Sequence, residues 1–295
     1  MTALLESILR GLGVGSVYAL LALGFVIIYK SMRVISFAQP AFMLTGAVLV
    51  TYLSPPLGFY VAVPLAALLT GALALGTERV AIRPMVGRPV FTVAIITLGI
   101  DIAVRVVVNG WIGLNVRQTG DPWGLKTWKI AGLLVERRHA AMLVAATVLV
   151  AGLFAFFRYT RMGLAMRATS YDQEAALAQG VSVGAVFGLS WFLAGALASV
   201  AGTFVAVGPG VTESLWIVAL TALPVIILGG LDSLPGAVVG GLLVGVIQEV
   251  VATYQRFLPE WLGGNVSIIS PYVLMLLVLL VRPYGLFGTR EVERV

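Results

Sequence analysis

The chain has 295 residues, 60% of them hydrophobic and 11% charged, with a net charge of +6. Soluble domains carry about a quarter charged residues, so this composition and a mean hydropathy of +1.03 exclude a soluble enzyme or a nucleic-acid-binding domain and describe an integral membrane protein. The absence of Cys removes disulfides and thiol ligation, and the lone His139 leaves no His-based metal cluster.

A membrane-crossing helix needs about 20 mainly apolar residues. In chain order the candidates are Leu9–Tyr29, Ser36–Leu53, Phe59–Thr77, Val90–Trp111, Ala140–Phe157, Phe187–Val207, Ser214–Gly229, Pro235–Tyr254 and Ile269–Val281. The pair around Gly229–Pro235 reads either as two spans or as one span and a re-entrant piece. The first apolar stretch reads as a span rather than a cleavable leader. Fold class follows: all-α, a polytopic bundle of eight or nine transmembrane helices.

Lys and Arg collect on the cytoplasmic side of membrane proteins. One set of connections holds Lys30, Arg33, Arg79, Arg83, Arg88, Arg158, Arg161, Arg167, Arg282, Arg290 and Arg294. The opposite set holds Arg10, Arg117, Lys126, Lys129, Arg137, Arg138 and Arg256, five of them in one long loop, 112–139. This asymmetry predicts an N-terminus outside and a C-terminus inside. The outer loop 112–139 carries Trp123 and Trp128, suited to lipid anchoring, and Leu125–Glu136 reads as a small hairpin around Ala131-Gly132. It is large enough to meet a partner, and equally suited to capping the membrane surface alone.

The inner loop 158–186 holds the longest polar stretch, Arg161–Val183. Ser170 and Gln173 fit a capping box, Asp172 and Glu174 suit a helix N-terminus, alanines follow, and Gly180 supplies a left-handed stop. A short helix over Tyr171–Gln179 is predicted outside the hydrocarbon. Its small surface suits a groove on another protein or a solvated linker.

Small residues recur every four positions at Gly11/Gly15/Ala19, Ala194/Ala198/Gly202, Gly236/Gly240 and Gly241/Gly245, a spacing that brings helix backbones together. Asp101 and Arg105 share a helix face within one span. Each alone would cost about 2.5–3.5 kcal/mol near the bilayer centre, and paired they offset each other. The pair reads as a structural clamp or as polar lining of a path. Proline beside polar residues at Ser36–Pro40, Gly208–Gly210 and Gly229–Gly236 marks turns or broken helices of the kind that expose backbone to a solute. No P-loop, nucleophile elbow, H-E-x-x-H or dinucleotide fingerprint occurs, so an enzyme has little support.

Five stretches in order resemble the permease subunits of branched-chain amino acid ABC importers of the LivH type. They are Gly11–Leu20 with Ala22-Leu23-Gly24, then Arg33–Gln39, then Thr97-Leu98-Gly99. Gly163, Met166-Arg167-Ala168, Asp172, Glu174-Ala175-Ala176 and Gly180 form the fourth, and Leu228–Leu231 with Pro235-Gly236 the fifth. Ser36 stands where the family usually has Asn, Pro40 and Ala41 where it has Gly and an acidic residue, and Asp101 where a neutral residue is common. These departures bear on the solute.

The resemblance implies one permease domain over 1–295 in the bacterial cytoplasmic (inner) membrane. It implies a homologous second permease of the LivM type, two ATPase subunits that hold ATP and Mg, and an extracytoplasmic solute-binding protein. No cofactor or nucleic acid is expected on this chain itself. Tyr171–Gln179 becomes the coupling helix, with Arg161, Gly163, Arg167, Ala168, Asp172, Glu174, Ala175 and Gly180 coupling to the ATPase. Ser16, Tyr18, Ser36, Phe37, Gln39, Thr97 and Gly99 become the path. Leucine, isoleucine and valine are the default solutes, with urea, short amides and other amino acids as alternatives. A separate class, the ion-coupled secondary transporter, would need no ATPase and would use Asp101.

Overall fold

The computed structural model describes residues 2–113, 116–124, 126–130, 132–257 and 265–289. Leu125 and Ala131 of the predicted hairpin, and Arg290 and Arg294 of the inner cationic set, lie outside the described residues.

The helices run in order α1 (Thr2–Met32), α2 (Gln39–Leu57), α3 (Phe59–Thr77), α4 (Val90–Ile112), α5 (Arg137–Tyr159), α6 (Arg161–Tyr171), α7 (Gln173–Ala178), α8 (Val183–Ala206), α9 (Trp216–Leu220), α10 (Ala222–Gly229), α11 (Leu234–Tyr254) and α12 (Val266–Val281). Among the described residues, seven helical stretches are long and apolar enough to cross a membrane, beginning at Thr2, Gln39, Phe59, Val90, Arg137, Val183 and Leu234. The predicted polytopic helical bundle is borne out.

The reading of Ser214–Gly229 as a span needs correcting. It holds a 3-10 turn, then α9 and α10, and its α-helical part covers only Trp216–Gly229. Those 14 residues reach about 21 Å, short of a bilayer core of about 30 Å. Within this stretch, Pro224 has no N–H to donate one turn back and its ring crowds the carbonyl of Leu220, which fits the interruption at Thr221. Hydropathy alone does not register that break. α12 is also short, at 16 residues.

α1 runs through the middle of the bundle and packs most extensively on α11, then on α8 and α5. Glycines set the α1–α11 distance. A Cβ on Gly15 would lie 2.7 Å from the Gly241 carbonyl oxygen, and one on Gly241 would lie 2.5 Å from the Ala19 nitrogen. The second small-residue face of α11 serves α10 instead, with Gly240 against the Val225 carbonyl. The four-residue spacings therefore mark packing faces, and α11 carries two.

At the end away from α6 and α7, strands β1 (Thr127–Ile130) and β2 (Leu133–Glu136) form an antiparallel hairpin with Trp128 opposite Val135. Trp123 lies half-buried, stacked on Phe204 at 5.9 Å and edge-on to Phe59 at 5.3 Å. It anchors the loop to α3 and α8 of its own chain rather than to lipid. Trp128 stays exposed beneath the Arg137 guanidinium.

The polar stretch also differs from expectation. It forms two helices, not one over Tyr171–Gln179, and Ser170 and Gln173 make no capping box. The Ser170 hydroxyl donates to the Arg167 carbonyl inside α6. Asp172 is extended and caps α7, accepting from the Ala175 N–H at 2.9 Å. An aspartate at an N-cap satisfies the orphan donors and meets the helix dipole with full charge. Gly180 ends α7 at φ +82°, as expected.

Candidate functional site

Between α1 and α2 the chain turns back into the bundle. Arg33 takes φ +57°, the only left-handed non-glycine residue among those described, and ends α1 by donating its N–H to the Tyr29 carbonyl. Such strain persists where surroundings over-determine it. Ser36 is fully buried, and its hydroxyl accepts from the Ala38 N–H at 3.3 Å. The Phe37 N–H donates to the Thr97 hydroxyl of α4 at 3.0 Å.

α2 then begins at Gln39, with Pro40 in its first turn, where the missing N–H costs nothing. The Gln39 amide abuts Gly24 of α1, close to the Ala194 carbonyl at the middle of α8. Gln39 is fully buried, and neither its oxygen nor its nitrogen has a hydrogen-bond partner. A buried unpaired amide costs about 1–3 kcal/mol. Gln39→Leu is therefore expected to raise stability by up to about that amount and to lower transport. Thermal unfolding and vesicle uptake on one preparation check it, and a less stable Gln39→Leu protein would show that the amide serves packing only.

α4 presents Thr97, Asp101 and Arg105 at four-residue steps toward these elements. Thr97 holds the turn before α2. Arg105 binds the Asp101 carboxylate at 2.6 Å and lies 4.2 Å over the Trp216 ring of α9. Asp101 is 4% exposed. The ladder thus pins α4 to the chain beside both broken helices. Gly99, by contrast, points to open space on the outer side of α4, with nothing within 4 Å. Ser16 is buried and bonds the Gly13 carbonyl of its own helix. The structure does not bring these two to the Gln39 cluster. Tyr18 lies elsewhere, donating to Gln248 of α11 at 2.8 Å and lining a cavity near the hairpin end.

At the opposite end α6 and α7 form an angled bracket. Thr160 caps α6 through the Gly163 N–H, and Gly163 sits so close to α5 that a Cβ would lie 2.7 Å from the Phe157 Cα. Arg161, Arg167, Asp172, Glu174, Ala175 and Gly180 are exposed, while Ala168 is half-buried. Tyr171 is 91% exposed and Leu177 63% exposed. Two bonds tie the bracket to the turn after α1: Gln173 Nε2 donates to the Ser31 carbonyl at 2.9 Å, and an Arg33 guanidinium nitrogen to the Ser170 carbonyl at 3.3 Å.

A separate tie, not read from the sequence, lies between α3 and α8. Glu78, fully buried in a π-turn after α3, binds Arg83 through both carboxylate oxygens at 3.0 Å, and Arg83 also donates to the Gly184 carbonyl at 2.7 Å. It links α3 to the base of α8, just beyond the bracket. Glu78 lying five residues before Arg83, at the end of an apolar run, was the available signal. No cluster of three or more His, Cys, Asp or Glu able to hold a metal occurs among the described residues.

Residues 7–281 match the family described as "Branched-chain amino acid transport system / permease component". The chain belongs to this family. It is a multi-pass membrane permease component of a transport system. Among its relatives, the high-affinity branched-chain amino acid transport system permease protein BraD of Pseudomonas aeruginosa is 28% identical over 312 residues, covering 99% of this chain and 98% of BraD. The LivH permease protein of Salmonella typhimurium is 28% identical over 313 residues, covering 99% and 97%. A probable LivH of Methanocaldococcus jannaschii is 26% identical over 282 residues, covering 91% and 88%. With 99% of this chain covered by BraD and by LivH of Salmonella typhimurium, the residues of α6–α7 and of the α1–α2 turn fall within the family match over 7–281.

Proposed function

We propose that this permease carries branched-chain amino acids inward, powered by ATP hydrolysed on partner subunits. The observation that carries the reading is the path from the exposed α7 to the buried Gln39. α7 is bonded to the end of α1, and the end of α1 leads directly into the turn before α2. A push on α7 therefore acts on the chain that holds Ser36, Phe37, Gln39 and Thr97. The bundle has packed, discrete contacts, and such contacts switch between arrangements by hinge or rocking motion.

In this reading α7 seats on one of two ATPase subunits, which hold ATP and Mg. A homologous second permease completes the translocation unit, and a solute-binding protein delivers solute at the hairpin end. That end faces out, the α6–α7 end and the C-terminus face the cytoplasm, and the membrane is the bacterial inner membrane. The solute preference rests on the names of the relatives; urea, short amides and other amino acids are the alternatives. An ion-coupled carrier finds little support in Asp101, because its carboxylate is engaged by Arg105.

The test is uptake of labelled leucine into vesicles holding the assembled importer, with binding protein outside and ATP inside. ATP-dependent accumulation is expected. Uptake that persists without ATPase subunits would overturn the reading. ATP hydrolysis stimulated by a binding protein, without leucine uptake, would keep the class and change the solute.

A further inference from the structure

Near the hairpin end, α1, α5, α8 and α9 border a half-open cavity of about 220 Å³, with Val14, Val17, Arg138, Met142, Val205 and Val218 in its wall. Its size lies below the roughly 300–1,000 Å³ of sites for drug-sized ligands, and fits one small solute. The wall is dominated by valines, which present stiff, branched surfaces.

One cation sits at this wall, and its position is built. Arg138 Nε is held by Glu136 at 2.9 Å. The guanidinium lies against Gly208, where φ is +95° and where a Cβ would come 2.5 Å from Nη1. A side chain at 208 would displace it. The ion pair with Glu136 is made through Nε alone, so Nη1 beside Gly208 and Nη2 remain to donate to a second carboxylate. No carboxylate is among the residues lining the cavity.

We propose that this cavity is the solute's first resting place on the permease. It takes the branched aliphatic side chain of an α-amino acid against Val14, Val17, Val205 and Val218. The carboxylate rests on Arg138, and the ammonium stays at the mouth, in water. The proposal rests on the reading of the chain as an amino acid permease and adds a site to it. Tyr18 connects the cavity to α11 through Gln248, so occupancy bears directly on the α1–α11 contact.

Photo-leucine, a leucine analogue bearing a diazirine in its side chain, tests this on the assembled importer in lipid nanodiscs without ATP, with labelled peptides mapped by mass spectrometry. Label is expected on Val14–Tyr18, Met142 or Val205–Val207, competed by leucine and not by decanoate. Val205→Phe and Arg138→Gln should each reduce it about tenfold, the scale of a lost or blocked small-group contact, and Arg138→Lys should restore part. If Val205→Phe does not assemble, Val205→Ala enlarges the cavity and should make phenylalanine an effective competitor.

Label competed by decanoate but not leucine would make this an acyl-chain site and overturn the proposal. So would label only elsewhere, or label unchanged in both Val205→Phe and Arg138→Gln. Leucine uptake is measured on the same preparation. Uptake without label here removes the cavity's role and leaves the transport reading standing. Label here without uptake makes the cavity a leucine-binding site that is no stop on a transport path and overturns the proposal as stated, and neither signal removes both.

Discussion

Asp101→Ala is expected to destabilise the permease by about 3–5 kcal/mol, the cost of leaving one member of a buried ion pair alone. The Arg105 side chain is 19% exposed and that of Asp101 6%, so an Arg105 left without its partner stays largely buried. Arg105 also covers Trp216, and losing its counter-ion leaves a cation facing apolar wall and one indole ring. Asp101→Leu with Arg105→Met should recover most of the loss, because replacing both charges removes the desolvation cost along with the attraction. Thermal unfolding in a fixed detergent reads both variants. A cost below about 1 kcal/mol for Asp101→Ala would place the pair among those that contribute little.

Asp101→Asn separates the clamp from a proton relay. It keeps the shape and an acceptor for Arg105, and abolishes titration. ATP-driven uptake in Asp101→Asn should therefore persist, whereas an ion-coupled carrier would lose coupling altogether.

The Asp101–Arg105 pair shows how far local spacing reaches. Four residues on one helix put the two side chains on one face, and that much was legible. The facing partner Trp216 lies more than a hundred residues away, beyond any helical period. The same division runs through the bundle. Glycine spacing announced close crossings on α1 and α11, but which face of α11 met which neighbour depended on the fold. Pro40 beside polar residues announced the broken start of α2, yet the isolation of the Gln39 amide arises from Gly24 and Ala194, which only packing brings there. Hydropathy counted Ser214–Gly229 as a span because a window sums side chains and does not ask whether Pro224 lets the helix continue. At α7, Ser170 and Asp172 were both acceptable caps by type. The charged side chain took the position, and Ser170 turned to its own helix.

The second large effect concerns α7. Glu174→Lys with Ala175→Trp is expected to leave insertion intact and to cost no more than about 1–2 kcal/mol of stability, since both positions are exposed and the main loss is a favourable charge in the first turn of α7 replaced by an unfavourable one. If α7 seats on an ATPase subunit as proposed, a tryptophan in place of alanine adds a ring where the exposed surface of α7 now presents a methyl group, and the lysine reverses the local charge. Together they should cost about 2 kcal/mol or more of association with the ATPase subunits, roughly thirtyfold in Kd, with uptake lost in proportion. Co-purification and vesicle uptake check this, and normal assembly with normal transport would remove α7 from the docking surface.

Gln173→Ala then distinguishes docking from transmission. Gln173 is half-buried, and its amide holds the Ser31 carbonyl at 2.9 Å. Removing that bond should spare ATPase binding and ATP hydrolysis, yet lower the solute moved per ATP, because the push on α7 no longer reaches the turn before α2 through that tie. Equal loss of hydrolysis and uptake in Gln173→Ala would instead put this residue on the docking face. In that case Arg33, through Ser170, would be the remaining link between α6–α7 and the buried Gln39.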